Sequence, residues 1–164
     1  MSNPAELIIT RTFDAPRELV FRVCTEAEHL KMWWGPKGWD MHVAKLELTP
    51  GGMFLYSQSA NGQTMWGKFV YREIAAPEKL VFTNSFSDAE GNTVRAPFSA
   101  TWPLEILNTW SLEEQDGRTI VTMHGTPLDA TEEELQTFDS AKDMLQQGFK
   151  GTFSQLEEYL ATLV

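Results

Sequence analysis

The chain holds a single cysteine, Cys24, so no internal disulfide and no thiolate set for a structural zinc ion can form. Basic residues are scarce: 13 Lys and Arg stand against 23 Asp and Glu, a net charge of −10 at pH 7 with neutral histidine. A surface that acidic repels phosphate backbones and anionic lipid heads, which argues against nucleic acid or a membrane surface as a partner. No apolar run approaches the ~20 residues of a spanning helix, so no membrane insertion is expected. The first residues, Met1 to Glu6, carry neither the basic region nor the apolar stretch of a signal peptide, and a cytoplasmic protein is the expectation. The three histidines, His29, His42 and His124, show no HExxH spacing, and no metal site is expected. No G-x-S-x-G elbow occurs, which leaves a serine hydrolase without support. The nearest approach to a nucleotide motif is Gly62-Gln-Thr-Met-Trp-Gly67-Lys68. It ends on Phe69, where Ser or Thr would hold magnesium, and it falls in a strand rather than between a strand and a helix. No cofactor is therefore expected.

What the chain does contain is core-forming material: 164 residues, 42% hydrophobic, with ten Phe, six Trp and three Tyr. That is one ordinary globular domain, residues 1–164, with no repeat or linker to divide it. Glu6 to Phe13 reads as a strand. Asp14-Ala15-Pro16 offers a cap and a proline for a short helix with Leu19, Val20, Phe21 and Val23 on its apolar face. Thr25-Glu26-Ala27-Glu28 reads as a capping box opening a second short helix, which Gly35-Pro36 ends. From Met41 the pattern changes to strands and turns, marked by Pro50-Gly51-Gly52, Asn61-Gly62, Pro77 and Asp116-Gly117. Asp88 to Asn92 reads as a polar loop and Pro97 to Pro103 as an irregular stretch. Thr131-x-x-Glu134 is a capping box for a helical C-terminal third. One helix from there to Leu163 would be about 48 Å long, so a break near Ser140-x-x-Asp143 is expected. The long helix, roughly 140–161, presents Ala141, Leu145, Phe149, Thr152/Phe153, Leu156, Leu160 and Leu163 on one stripe. The order is a strand, two short helices, a six-stranded antiparallel run and a long closing helix: α+β, not βαβ.

Tryptophans and methionines recur at strand ends and loops, which suits either a packed core or an apolar cavity with adaptable walls. Gly148 and Gly151 inside the long helix cost about 1 kcal/mol each against alanine, and permit either a cavity or close packing of helix on sheet.

Taken in order, several short motifs resemble the START-like (SRPBCC) superfamily. They are Phe13-Asp-Ala-Pro16, Trp33-Trp34-Gly35-Pro36, Pro50-Gly51-Gly52-x-Phe54, Tyr71-Arg-Glu-Ile74, Pro77-Glu-x-Leu80-Val-Phe-Thr83 and Asn84-Ser-Phe-Ser-Asp88. Gln147-Gly-Phe-x-Gly-Thr152 and Leu156-x-x-Tyr159-Leu160 complete the series. The branch most resembled is that of the bacterial proteins named after the C-terminal domain of the activator of the ninety-kilodalton heat-shock-protein ATPase. The resemblance implies a helix-grip fold: a curved antiparallel sheet wrapped around a long C-terminal helix, two short helices after the first strand, and a cavity between sheet and helix. It carries over no catalytic residues.

Within that frame, strand alternation nominates Phe54, Tyr56, Gln58, Phe82, Asn84, Trp110 and Met123 as cavity lining. Phe138, Met144, Leu145 and Phe149 would close it from the helical side. Trp66 and Phe69 are further candidates whose facing one bulge would exchange. Gln58 and Asn84 would orient a polar group of the guest. The leading expectation is a non-catalytic protein that holds a small hydrophobic or aromatic ligand. The alternatives are an enzyme of cyclase, hydratase or hydrolase type acting in the same cavity, and a protein-interaction module. A homodimer is left open, and a chaperone partner is the weakest expectation.

Overall fold

The computed structural model describes residues 5–36 and 38–163. Strand β1 (Leu7–Phe13) leads into α1 (Arg17–Thr25) and α2 (Ala27–Trp33). Seven strands follow: β2 (Asp40–Leu46), β3 (Met53–Ala60), β4 (Gln63–Ala75), β5 (Lys79–Ser87), β6 (Thr93–Val94), β7 (Ile106–Gln115) and β8 (Arg118–Pro127). Helices α3 (Glu132–Ser140) and α4 (Lys142–Ala161) close the chain. Among the described residues all eight strands form one antiparallel sheet in the order β1-β8-β7-β5-β4-β3-β2, with β6 paired to β5. This is the expected helix-grip fold. Register shifts at Val43/Lys45 and Tyr71/Glu73 insert the extra residues that bend a sheet.

Local chemistry accounts for most of the joints. Asn61-Gly62 and Asp116-Gly117 both take positive φ, 52° and 79° in the first and 55° and 78° in the second, the backbone that a two-residue hairpin needs. Thr131 and Glu134 make the expected reciprocal capping box. Other caps differ from expectation. Neither α1 nor α2 has a side-chain cap: the N-cap of α1 is Pro16, which has no side-chain acceptor, and that of α2 is Glu26, the Thr25 hydroxyl donating back to Phe21 O at 2.8 Å instead. The break before α4 falls at Ala141, also without a side-chain cap, since the Ser140 hydroxyl donates to Gln136 O at 2.9 Å. Strand β6 was not anticipated: two residues carry too little periodicity to announce a strand.

Cross-strand partners share a face, and the pairs Phe54–Phe69, Tyr71–Phe82 and Trp110–Met123 all point toward the helices. There they join Phe13, Val20, Leu30, Trp33 and α4's Phe153, Leu156 and Leu160 in the main core. Leu163, expected on the same stripe, is exposed because α4 ends at Ala161. Lys68 has the opposite parity, and its buried amine donates to Gly91 O at 2.8 Å beneath the 88–92 turn. The phosphate-loop lysine is thus occupied, inside a strand whose successive amides cannot converge on one phosphate. Among the described residues no helix is long and apolar enough to cross a membrane.

Candidate functional site

The helix-covered face of the sheet is filled at one end only. The second half of α4 buries Thr152, Phe153, Leu156 and Leu160, whereas no residue from Lys142 to Gly151 is fully buried. The chain between β6 and β7 leaves the sheet at about the point where β5 exchanges β7 for β6 as partner, at Asn84 and Phe86. It folds against α3 instead. Arg95 bridges to Glu134 and donates to Trp102 O, Thr101 bonds Thr137 at 2.9 Å, and the Trp102 ring lies 5.6 Å from that of Phe138. The space left between this strap, α3, the start of α4 and the sheet is a cavity of about 230 Å³.

Its apolar wall comes from Leu7, Met65, Phe86, Ile106, Met123, Phe138, Leu145 and Phe149, and the strap adds Phe98, Trp102 and Pro103. Phe98 and Met144, 62% and 67% exposed, stand at its rim. The polar wall comes from Tyr56, Gln58, Asn84, Ser85 and Asn108. No lining residue among those described is Asp, Glu, His, Lys, Arg or Cys. Burial raises the Tyr56 phenol above its ordinary pKa against the opposing effect of Trp34 and Asn84 beside it, so it is protonated at neutral pH and the wall is uncharged.

Two strand glycines make room for polar groups. A Cβ on Gly67 would lie 2.6 Å from the Tyr56 hydroxyl, and one on Gly125 would lie 3.1 Å from Asn108 Oδ1. Each polar side chain therefore lies flat across the bare backbone of the neighbouring strand. Gly148 and Gly151 do nothing comparable: neither would bring a Cβ within 4 Å of a neighbour, so they serve neither close packing nor the cavity.

Trp34 separates cavity from core. Trp33 is fully buried, with its indole N–H donating to Val23 O at 2.8 Å. The Trp34 ring touches Tyr56, Phe69, Trp110 and Phe149. Gly35 turns the chain at φ 104°, and its carbonyl accepts from Gln155 at 2.7 Å and Thr152 at 3.3 Å on α4. Those bonds fix the Trp33–Pro36 segment against the long helix.

Of the residues nominated from the sequence, the structure brings Tyr56, Gln58, Trp66, Asn84, Met123, Phe138, Met144, Leu145 and Phe149 to the one cavity. Phe54, Phe69, Phe82 and Trp110 lie elsewhere, each 1% exposed or less in the packed core. Phe69 stacks on Phe82 with ring centres 4.1 Å apart, and Trp34 and Trp110 stand edge-on to it. These four sit on the predicted face but at the end that α1, α2 and the second half of α4 fill. Trp66 and Phe69 take opposite faces by parity: Phe69 pairs with Phe54 and Asn84, Trp66 with Ser57 and Ser87. Trp66 reaches the cavity where it meets a wider-open groove bounded by Phe86, Val94, Pro97 and Phe98. Asn108 was missed although it shares parity with Trp110. Met65 was missed although it shares parity with Phe69. Phe98 and Trp102 lie in an irregular segment with no period to read.

Other reactive groups lie outside the cavity. Cys24 is buried in the core, where desolvation raises its thiol to about 12, so thiolate is scarce at neutral pH. Glu26, Glu28 and His29 bring ligand atoms within 4.8 Å of one another; His29 Nε2 faces Glu26 Oε1 at 3.4 Å while its Nδ1 meets the Tyr159 hydroxyl at 2.6 Å.

Known structures share this architecture. A solution structure of a Staphylococcus epidermidis protein is 28% identical, covers 100% of this chain and 94% of its own, and superposes with a TM-score of 0.80. An Arthrobacter aurescens protein is 25% identical over 97% of this chain and 87% of its own, with a TM-score of 0.81. A Silicibacter pomeroyi protein named AHSA1 is 19% identical over 98% of this chain and 100% of its own, with a TM-score of 0.73, and shows the fold alone. No curated protein sequence matches the chain. The profile of the Activator of Hsp90 ATPase homolog 1-like protein matches residues 14–161, and the chain belongs to that family.

Proposed function

We propose that the protein is a binding protein whose cavity takes one small, neutral, ring-containing molecule. The observation that carries this reading is the cavity of about 230 Å³ with an uncharged wall, left open in a sheet whose other end is tightly filled. An apolar cavity of roughly 150 Å³ accepts benzene, and drug-sized ligands occupy about 300–1,000 Å³. The volume therefore suits a bicyclic ring, or one ring with substituents. Burying an ion against this wall would leave it without a counter-charge, which favours neutral guests. The exposed Phe98 and Met144 at the rim give an apolar guest a path of entry. An enzymatic reading would need a proton donor or acceptor on the wall that works near neutral pH. The one phenol there is shifted the wrong way for a base. Calorimetric titration with naphthalene tests the proposal: one saturable site per chain is expected, and no detectable binding by naphthalene or its hydroxylated analogue would overturn it.

A further inference from the structure

The polar end of the cavity has a defined hydrogen-bonding sense. Asn84 donates from Nδ2 to the backbone carbonyl of Lys68 at 3.0 Å, and Asn108 donates from Nδ2 to that of Ile106 at 3.2 Å. A backbone carbonyl only accepts, so in each case the amide end turned toward it is the NH2. The carboxamide oxygens are therefore the ends left over. Among the described residues nothing donates to Asn108 Oδ1, and it lies over Gly125 on the cavity wall, in space that a Cβ would restrict.

Resting on the ligand-site reading above, we infer that the guest carries a hydrogen-bond donor, a hydroxyl or N–H on its ring system, received by the Asn108 carboxamide oxygen. A guest without a donor strips this oxygen of water and returns nothing, and a guest that offers only an acceptor sets lone pair against lone pair. Binding is therefore selective for ring alcohols and ring N–H compounds over the parent hydrocarbons and their ethers.

The test compares 2-naphthol, naphthalene and 2-methoxynaphthalene by calorimetry at pH 7, on the whole chain and on Asn108→Leu, which keeps the side-chain size and removes the acceptor. On the unaltered protein 2-naphthol should bind about tenfold tighter than naphthalene, and the ether no tighter than the hydrocarbon. In Asn108→Leu the preference should vanish while naphthalene binds at least as well as before. Equal affinities for naphthol and naphthalene in the unaltered protein would overturn the inference and leave the ligand-site reading standing. So would a naphthol preference that survives in Asn108→Leu. No binding by any of the three removes both. Should the variant fail to fold, the three affinities of the unaltered protein decide alone.

Discussion

The two ends of the helix-covered face are made from the same sheet and the same kinds of residue, yet one is solid and the other hollow. At the solid end Phe54, Phe69, Phe82 and Trp110 interlock with Trp33 and α4's Phe153, Leu156 and Leu160. At the hollow end Tyr56, Asn84, Met123 and Asn108 continue the same rows of alternating positions but face a helix segment that buries nothing fully and a strap held out over α3. What distinguishes the ends is the partner the strands meet. A cavity here is a property of how α3, the strap and the start of α4 are set, and only secondarily of the strand residues.

Substitutions can sharpen that contrast. The largest effect belongs to the solid end: Phe69→Ala should cost about 3–5 kcal/mol, read as a lower urea midpoint with an unchanged slope. Enlarging a side chain should separate the ends next. Leu156→Phe has nowhere to put its extra atoms and should cost about 1–3 kcal/mol. Leu145→Phe can spill into the cavity and should leave stability within about 0.5 kcal/mol while it lowers the affinity for naphthalene. Equal losses for the two would mean that the cavity is not empty space. Phe149, half-buried on the border, should lose about 1–2 kcal/mol on truncation to alanine, between the extremes; a core-sized loss would put it in the solid end.

The smallest effect comes from the strap. Glu134 is held below its ordinary pKa first by the Thr131 backbone N–H and then by Arg95. A depressed carboxylate contributes stability that is complete above its ordinary value and is lost as pH falls through the lowered one. The stability difference between the protein and Glu134→Gln should therefore be constant near neutrality and shrink only below the ordinary glutamate range. A difference that instead grew on acidification would contradict the assigned role of this pair.

Much of this was legible in the chain. Asn61-Gly62 and Asp116-Gly117 located hairpins because two consecutive positive φ angles leave few residue choices. Thr131 and Glu134 located the start of α3 because both halves of a capping box are local. The element order and the resemblance carried by segments such as Trp33–Pro36 then gave the helix grip. Strand parity was also correct for Phe54, Phe69, Phe82 and Trp110, which do point to the helices. Parity states a face, though, and not a position along it, and no local signal says that α4 fills one end and leaves the other. Asn108 escaped for a related reason. An asparagine between hydrophobic neighbours has no meaning until Gly125 opposite makes room for it, and that pairing joins residues far apart in sequence. Thr25 misled because its hydroxyl found the carbonyl of Phe21 in its own helix before any N–H of the next.

The central claim is that a neutral ring compound enters this cavity and not some other apolar surface. Methionine methyls report on it directly, because Met65, Met123 and Met144 line the cavity while Met32 is exposed elsewhere and Met53 packs near Gly91 on the far face of the sheet. In a carbon-13 methyl spectrum titrated with 2-naphthol, the resonances of Met65, Met123 and Met144 should shift together and saturate with one dissociation constant, and those of Met32 and Met53 should stay in place. Shifts confined to Met32, or a titration in which none of the three cavity methyls moves, would contradict the account.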